Sequence, residues 1–300
     1  MKQFMSLLLA AAIGFLSRAG MGIYIHPSVI DRVNRPEAWA SVELDPEKKI
    51  LDVWIANIRD ADAILVCYDG SAWMIDCGDK RSGIRTAEML RQLGITELGR
   101  VINSHPHNDH LLGMPWIDEA ASIGELWICF PEKSTEHMVK AMDYCREKGI
   151  PVRHFSHGDV FTMGDGAVTW TFWQNPDERG LNMNCQSAIT KIEYGKRSIL
   201  MLADMDYLGQ KRMMELIGEE PLRCDLFKYP HHGKMAMRDS FFEAMGAQAA
   251  IITNYQGVNE VRTYLGYKHY PQIYTNKAGV YTHLRTDGET WICEYVPIEP

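Results

Sequence analysis

The chain has 300 residues, of which 46% are hydrophobic, enough to bury the core of one large α/β domain or two small ones. Its formal net charge is −8 and no run of Lys and Arg exceeds two residues, which argues against a surface that holds long nucleic acid nonspecifically. A small or locally bound substrate suits this composition better. We expect one domain, over residues 50–300.

The N-terminal segment, residues 1–20, has a basic start and an uncharged apolar run from Phe4 to Leu16. This pattern resembles a secretory signal peptide and predicts a secreted or cell-envelope protein, although Arg18 lies where cleavage would be expected. The run is shorter than the roughly 20 residues of a membrane span, so no stable transmembrane helix is expected. The alternative is a buried or amphipathic helix in a cytoplasmic protein. Residues 21–49 are predicted to be a polar lead-in.

The seven cysteines are odd in number and include no C-x-x-C pair. Several lie in apolar runs such as ILVCY and LWICF, where a free thiol behaves as a small hydrophobic side chain. We therefore expect no disulfide framework. This favours a reducing compartment or an anaerobic habitat, in tension with the signal-like start.

The first half of the domain reads as three strands, a helix and a fourth strand. ILDVWIANI, ADAILVCYDG and SAWMIDCGD are short apolar runs separated by turn residues, the pattern of successive strands. Residues 81–93 have apolar positions at helical spacing and end at Gly94. GRVINSH then predicts a strand that ends at a group of histidines.

The second half continues to alternate between strands and helices. Strands are predicted at ELWICF, near 152–155, at 167–173, on both sides of a Tyr-Gly turn in SAITKIEYGKRSILMLAD, and at RCDLFKYP, AAIITN and a final pair from GVYTHL to ICEYV. Helices are predicted at EKSTEHMVKAMDYCREKG, 206–217 and 238–246, and GDVFTMGDG is expected to be a turn. This mixture of strands and helices indicates two sheets with helices outside.

The stretch SHPHNDHLLG places His105, His107, Asp109 and His110 within six positions. The first two histidines follow a strand and the other two residues begin a predicted helix, so a bend between them can direct all four side chains to one point. Imidazole nitrogen and carboxylate oxygen are ligands of Zn²⁺ and Mn²⁺. Four ligands are too many for one ion that keeps an open catalytic position. We therefore expect two divalent ions, Zn²⁺ before Mn²⁺, rather than a histidine-rich surface loop.

Other predicted strands also end in side chains that suit a metal site. Asp204 follows SILMLA, His231 and His232 follow LFKYP, and Asp76 follows SAWMI. Asp204 can bridge two ions, and Asp76 is placed to support the histidine loop from behind. Taken singly, the two aspartates would more often be helix caps or turn residues. Their order along the chain favours a shared site at the strand ends.

This order of motifs resembles the metallo-β-lactamase superfamily, whose H-x-H-x-D-H loop is completed by a later Asp and a later His. Within the superfamily it is similar to the ComEC-like branch, named for the nuclease domain of a DNA-uptake competence protein. The segments that carry this second resemblance are ADAILV at 61–66, IDCG at 75–78, NCQS at 184–187, MLAD at 201–204 and YPHHGK at 229–234. The resemblance covers residues from about 50 to 295.

The resemblance implies a four-layer αββα sandwich, of the α/β (α+β) class, with a dinuclear metal site at one edge. One ion would be held by His105 and His107, the other by Asp109, His110 and His231, with Asp204 between the two. Many members have another histidine before the bridging Asp. In that position the chain has Asn184 and Ser187, and His137, His154 and His157 are predicted to be structural or exposed.

Three further residues follow or replace motif positions of the resembled family. His232, next to a predicted ligand, is a candidate for supporting a ligand or donating a proton, with a packing role as the alternative. Lys234 replaces the usual Ser after H-H-G and could hold a substrate phosphate or carboxylate, or be a solvated lysine. His269 could replace the histidine of a missing G-H-P segment, but an exposed loop is its simpler interpretation.

The function that these motifs favour is metal-dependent hydrolysis, with Asp109, His232 and Lys234 as the candidate catalytic residues. The resemblance points to a phosphodiester substrate, DNA or a nucleotide, with a small molecule, a nucleotide or a short nucleic acid as the expected binding partner. The acidic charge leaves hydrolysis of a small ester, lactone or lactam as the alternative. A metal-bound sensor or binding module without turnover is the second alternative.

Overall fold

The computed structural model describes residues 23–25, 43–176, 181–255, 258, 265 and 270–299. The signal-like segment at 1–20 and His269 lie outside these residues. Within the described ranges, no helix combines the length and the hydrophobicity that a membrane crossing requires.

The strands form two large sheets and one small pair. In chain order they are β1 (Ile23–Ile25), β2 (Leu51–Ile55), β3 (Ile64–Tyr68), β4 (Ser71–Ile75), β5 (Glu97–Leu98), β6 (Arg100–Ile102), β7 (Ser122–Ile123), β8 (Leu126–Ile128), β9 (Val152–His154), β10 (Val160–Met163), β11 (Val168–Trp173), β12 (Ile189–Tyr194), β13 (Arg197–Met201), β14 (Leu226–Lys228), β15 (Ala249–Ile252), β16 (Gln272–Tyr274), β17 (Val280–Thr286) and β18 (Trp291–Pro297). The larger sheet has the order β1-β18-β17-β2-β3-β4-β6-β8-β9, the smaller has the order β10-β11-β12-β13-β14-β15-β16, and β5 pairs with β7.

Helices connect the strands. They are α1 (Ser82–Gln92), α2 (Asn108–Leu111), α3 (Met114–Ala120), α4 (Glu136–Lys148), α5 (Tyr207–Ile217) and α6 (Asp239–Met245), with short 3₁₀ turns at Glu220–Leu222 and Pro230–Gly233. Sequence signals set the limits of α4: the Thr135 side chain accepts a hydrogen bond from Met138 N, and Gly149 ends the helix with a φ of 72°. Its buried face recurs every three or four residues, as in the predicted helix.

Three buried hydrophobic clusters show how the layers stack. The first lies between the two sheets, where Trp73 of β4 and Trp170 of β11 have ring centroids 5.0 Å apart. The second includes Met138 of α4 and packs helices on the outer face of the larger sheet. The third includes Met213 of α5 and Phe241 of α6, outside the smaller sheet. The predicted αββα sandwich is confirmed.

Three edge strands were not expected from the sequence. The segment GDVFTMGDG contains β10, which pairs antiparallel with β11, so its interpretation as a simple turn was wrong. β16 pairs with β15, and β1, within the lead-in, pairs in parallel with β18. Short edge strands carry little hydrophobic alternation, because only one neighbour and part of one face shape them.

One glycine lets the histidine loop pack against the neighbouring strand end. A Cβ built on Gly113 would lie 1.9 Å from the carbonyl oxygen of Cys77, and Gly113 N donates a hydrogen bond to Gly78 O. Any side chain at this position would push the loop away. The close approach brings SHPHNDHLLG onto the IDCG segment that follows β4.

Candidate metal centre

The predicted strand ends meet at one edge of the sandwich. β4 and β6 are parallel neighbours in the larger sheet, and β13 and β14 are parallel neighbours in the smaller one. The carboxyl ends of parallel neighbours lie at the same sheet edge. A hydrogen bond from Ala188 N to Ser104 O, 3.0 Å long, joins the two edges.

Asp204 lies at the middle of this edge, with 1% of its surface exposed. Four imidazole nitrogens surround its Oδ2 atom: Nε2 of His110 at 3.3 Å, of His232 at 3.4 Å, of His231 at 3.7 Å and of His105 at 3.9 Å. The carboxylate thus lies among histidines that the sequence predicted to share a site with it.

We call His105, His107 and His231 the first side of the centre. His105 Nε2 lies 3.0 Å from His107 Nδ1, as the two-residue spacing after β6 predicted. His105 is fully buried, whereas the His231 side chain is 29% exposed. Burial lowers the pKa of all three imidazoles, because removal from water disfavours their charged form. The first side therefore presents neutral imidazoles, the form that binds a metal.

We call Asp109, His110 and His232 the second side. Oδ2 of Asp109 lies 3.3 Å from His232 Nε2 and 3.9 Å from His110 Nε2. Burial opposes charging of both imidazoles, but the surrounding carboxylates, Asp204 first, raise the pKa of His232 to about 10 and that of His110 well above its usual range. This excess of negative charge is what a bound cation would neutralise.

The two adjacent histidines of YPHHG have different surroundings: His232 is fully buried, 3.3 Å from Asp109 Oδ2, whereas the His231 side chain is 29% exposed. The sequence led us to expect His231 beside Asp109 and His110, but the structure brings His232 there. Both residues have left-handed backbone, with φ of 51° and 52°, so the chain turns sharply between their side chains. Such φ values are uncommon for residues with a Cβ and cluster at functional sites.

Carboxylates support both histidines of the second side from behind. Nδ1 of His110 lies 2.7 Å from Asp76 Oδ2, the support predicted from the sequence, and Asp76 Oδ2 also accepts a hydrogen bond from the Ser104 hydroxyl at 2.6 Å. Nδ1 of His232 lies 3.1 Å from Asp62 Oδ1 and 3.0 Å from the Thr253 hydroxyl. A carboxylate on the far nitrogen fixes the imidazole tautomer and raises its basicity as a ligand.

Lys228, at the end of β14, is fully buried behind the centre. Its Nζ donates to Ala203 O at 2.8 Å, lies 3.4 Å from Asp204 Oδ1 and forms an ion pair with Asp62. Burial alone would raise the pKa of Asp204, but the nearby cations, with Lys228 among them, hold it well below its usual range. The lysine therefore holds Asp62 ionised and adds to the effect of His232 and His110, the larger causes, on Asp204.

Three ligand-type atoms of the centre are buried without a hydrogen bond in the part of the chain that the structure describes. They are Oδ2 of Asp204 and Nε2 of His110 and His232. Each such atom costs about 1–3 kcal/mol unless something binds it. The atoms are of the types that Zn²⁺ and Mn²⁺ accept, so the residues present fit a divalent metal ion.

A group of Asp62, His110, Asp204 and His232 has ligand atoms within 4.8 Å of one another and could hold an ion. Asp62 fits better as a support than as a ligand. Its carboxylate contacts Nδ1 of His232, the nitrogen opposite the centre, and is already paired with Lys228.

The remaining predicted residues lie around this core. The Asn184 amide nitrogen is 3.5 Å from His231 Nδ1, whereas the buried Ser187 hydroxyl donates to Met183 O. Lys234 Nζ is 3.1 Å from Asp60 Oδ1, so its charge is partly neutralised, and its side chain is 41% exposed. His154 and His157 are exposed and His137 is half-buried on α4, in agreement with their expected structural or exposed character.

Sequence reasoning did not assign roles to Asp62, Lys228 or Thr253. The sequence showed Asp62 only as the aspartate of the motif ADAILV, just before an apolar run, which does not indicate a role in the centre. The usable signal for Lys228 is a lysine inside the apolar strand LFK. A charge within a buried strand calls for a buried partner of opposite sign.

Comparison with known proteins agrees with the fold. Residues 57–177 match the model of the Metallo-beta-lactamase superfamily. The chain therefore contains a domain of this superfamily of metal-dependent hydrolases.

The curated relatives match only a short segment. Zinc phosphodiesterase ELAC protein 1 of Mus musculus and of Homo sapiens are each 33% identical to this chain over 57 residues. The matched segment covers 19% of this chain and 15% of either relative.

Solved structures are similar at low sequence identity. A putative metal-dependent hydrolase from Parabacteroides distasonis is 11% identical, with a TM-score of 0.49, over 75% of this chain and 94% of the other. A diphosphatase from the PhnP family is 11% identical, with a TM-score of 0.46, over 79% of this chain and 98% of the other.

Proposed function

We propose that this chain, which contains a metallo-β-lactamase superfamily domain, is a hydrolase that holds two divalent metal ions and cleaves a phosphodiester in a nucleotide or short nucleic acid. The observation that carries the proposal is the environment of Asp204. Its buried Oδ2 has four imidazole nitrogens within 3.9 Å and no hydrogen bond among the described residues.

We assign one ion to each side of Asp204. The first side would hold an ion through His105, His107 and His231, and the second side through Asp109, His110 and His232, with Asp204 shared. His231 thereby takes the place of the histidine that the sequence lacks before Asp204. Zn²⁺ suits this nitrogen-rich set best, and Mn²⁺ is the alternative.

Bound at this centre, two divalent ions supply Lewis-acid polarisation of a phosphoryl oxygen and a nucleophile available at neutral pH. The protein residues orient the reactants. Asp109 is 22% exposed at its side chain, and a pKa held below its usual range keeps it ionised, so it can accept a hydrogen bond from the attacking water. Lys234, released from Asp60, can bind a phosphate oxygen at the rim of the centre.

Two similarities support a phosphodiester substrate. The ELAC relatives are named as zinc phosphodiesterases, and their matched segment is 33% identical to this chain. The ComEC-like motifs at the strand ends point to a nuclease-type reaction. Both are arguments by analogy, and the centre itself supplies the chemistry.

Hydrolysis of a small ester, lactone or lactam is the second candidate. The net charge of −8 and the pairing of Lys234 with Asp60 leave little positive charge near the centre, which favours a weakly charged substrate.

The deciding experiment compares hydrolysis of bis-p-nitrophenyl phosphate and of a chromogenic β-lactam by protein loaded with Zn²⁺ or Mn²⁺. We expect turnover of the phosphodiester and its loss in Asp204→Asn, together with loss of bound metal. Asp206→Asn is the matched control, because Asp206 caps α5 and contacts Gly209 N at 2.7 Å. Turnover of the β-lactam alone would favour the second candidate. Two bound metals with turnover of neither compound would favour a non-catalytic binding module.

A further inference from the structure

A tyrosine and an arginine pack face to face at the start of α5. Tyr207 is the first residue of this helix, and Arg238 directly precedes α6. The guanidinium carbon of Arg238 lies 3.8 Å from the centre of the Tyr207 ring. The tyrosine is nevertheless 46% exposed, so the guanidinium leaves part of it accessible to a ligand. We call Tyr207 and Arg238 the stacked pair.

Hydrogen bonds fix the arginine over the ring. Arg238 Nε donates to the carbonyl oxygen of Tyr207 at 2.7 Å, and Arg238 N donates to Gln210 Oε1 at 2.8 Å. Gln210 is fully buried, and its Nε2 donates to Ala236 O at 3.0 Å. The stacked pair is therefore preorganised and would lose little side-chain freedom on binding a ligand.

The stacked pair lies beside the first side of the metal centre. Tyr207 is three residues after Asp204, which limits the distance between their Cα atoms to about 11 Å. Ala203, the residue before Asp204, accepts a hydrogen bond from His231 N at 3.0 Å, so the turn that leads to Tyr207 contacts the first side directly. The His231 side chain is 29% exposed, which leaves this side of the centre open to solvent. A group attached to a phosphate at the centre would meet the stacked pair here.

The chemistry of the stacked pair suits a flat, unsaturated ring. A nucleobase can stack on the face of a tyrosine ring or on the plane of an arginine guanidinium. Removing such an aromatic side chain weakens binding by about five- to 150-fold per base. In a nucleotide phosphodiester the bases are the flat groups closest to the phosphate, so they are the part of the substrate that fits this surface.

We propose that the stacked pair binds one base of the nucleotide substrate, by stacking and without selecting among the four bases. The proposal rests on the proposed function, which places a phosphodiester at the metal centre. Every nucleobase has a flat face, so stacking accepts them all. A nucleoside attached to the phosphate should therefore raise affinity whichever base it carries.

The first test measures binding of the four ribonucleoside 5′-monophosphates and of methyl phosphate to zinc-loaded protein by isothermal titration calorimetry. It needs no turnover of a phosphodiester, so its outcome is independent of the proposed reaction. We expect each nucleotide to bind more tightly than methyl phosphate, and the ratio of the two affinities to fall about five- to 150-fold in Tyr207→Leu. Tyr207→Phe, which keeps a ring, should retain the ratio. Leu208→Ala is the matched control, because Leu208 is the next residue of α5 and is 42% exposed.

The second test repeats the comparison during turnover. The 5′- and 3′-(p-nitrophenyl phosphate) esters of thymidine share a phosphodiester and a leaving group with methyl p-nitrophenyl phosphate and differ from it only in the nucleoside. For at least one of the two esters, we expect the ratio of its kcat/KM to that of the methyl ester to fall in Tyr207→Leu and to be retained in Tyr207→Phe and Leu208→Ala.

Several outcomes would overturn the proposal. They are an affinity ratio or a kcat/KM ratio that Tyr207→Leu leaves unchanged, an equal loss in Tyr207→Phe and Tyr207→Leu, and a preference for one base of more than about 100-fold. Absence of phosphodiester turnover together with an affinity ratio that depends on the Tyr207 ring would instead refute the proposed function and leave the base site standing.

Discussion

The two sides of Asp204 are built from the same side chain, histidine, but differ in what lies behind it. On the second side, His110 and His232 are fully buried, and each places its Nδ1 on a buried carboxylate, Asp76 at 2.7 Å and Asp62 at 3.1 Å. These partners hold the imidazoles in one tautomer and one orientation.

On the first side, the support is weaker. Among the described residues, the Ser104 hydroxyl is the one polar partner of His105 Nδ1, at 3.1 Å, and His231 Nδ1 has the Asn184 amide nitrogen at 3.5 Å. Two sites that share histidine as their ligand type can therefore differ in how firmly their ligands are oriented. We expect the second side to hold its ion more tightly, because its ligands are already oriented and lie among negative charges.

Replacing the two neighbouring histidines should give the largest contrast. His232→Ala removes a ligand from the tight side, and we expect activity to fall by more than the roughly 100-fold that loss of a supporting residue causes. His231→Ala should leave the tight side intact and retain about one ion per chain after dialysis. Elemental analysis and phosphodiester turnover of both variants test this, and equal metal loss in the two would break the comparison.

Removing the buried cation should show how the second side is held. Lys228→Met leaves Asp62 and Asp204 without their shared counter-charge, and we expect the free energy of unfolding of metal-free protein to fall by about 3–5 kcal/mol. Zinc should offset part of the loss, because its charge replaces that of the lysine.

Lys191→Met is the matched control for this variant. Lys191 is 9% exposed but pairs with Glu193, whose side chain is 42% exposed. We therefore expect this substitution to lower the free energy of unfolding by less than about 1 kcal/mol. Urea unfolding with and without zinc measures both variants. If zinc did not reduce the destabilisation of Lys228→Met, the role of Lys228 as a counter-charge at the metal site would be contradicted.

Weakening the support of one imidazole should bring the two sides closer in affinity. Asp62→Asn removes the charge behind His232, and we expect zinc affinity of the second side to fall by about 10–100-fold. Asp60→Asn is the control, since Asp60 contacts Lys234 at the rim. Competition with a chromogenic zinc chelator gives both affinities, and an unchanged affinity in Asp62→Asn would contradict the role of the carboxylate.

Part of the metal centre could be predicted from the sequence. The strand-end positions of His105, Asp204 and Asp76 followed from apolar periodicity and turn residues. The order of elements indicated two sheets with helices outside, and the resemblance to the metallo-β-lactamase superfamily implied the four αββα layers. The orientations of the His231 and His232 side chains could not be predicted in this way. They depend on left-handed backbone at both residues, which histidine does not indicate by its residue type.

The pairing of Asp62 with His232 was equally hidden. The two residues are 170 positions apart, and only the packing of the two sheets brings them together. The burial of Lys228 depends in turn on both carboxylates. Contacts across a sheet edge arise from the tertiary fold, which local patterns do not encode.

The smallest expected effect is at the rim. Lys234→Ala should raise KM several-fold with little change in kcat, because a lysine that only holds the substrate contributes uniform binding. The pair with Asp60 is exposed, so stability should change by less than about 1 kcal/mol. Steady-state kinetics on the phosphodiester measures this, and a fall in kcat with unchanged KM would place Lys234 in the chemical step.

The inequality of the two sides is tested most directly by graded chelation of zinc-loaded protein, with metal content measured at each chelator concentration. We predict a plateau near one ion per chain as the first side empties, and a shorter plateau in Asp62→Asn, because the tight side is then weakened. Departure of both ions at a single chelator concentration in the unmodified protein would contradict the account.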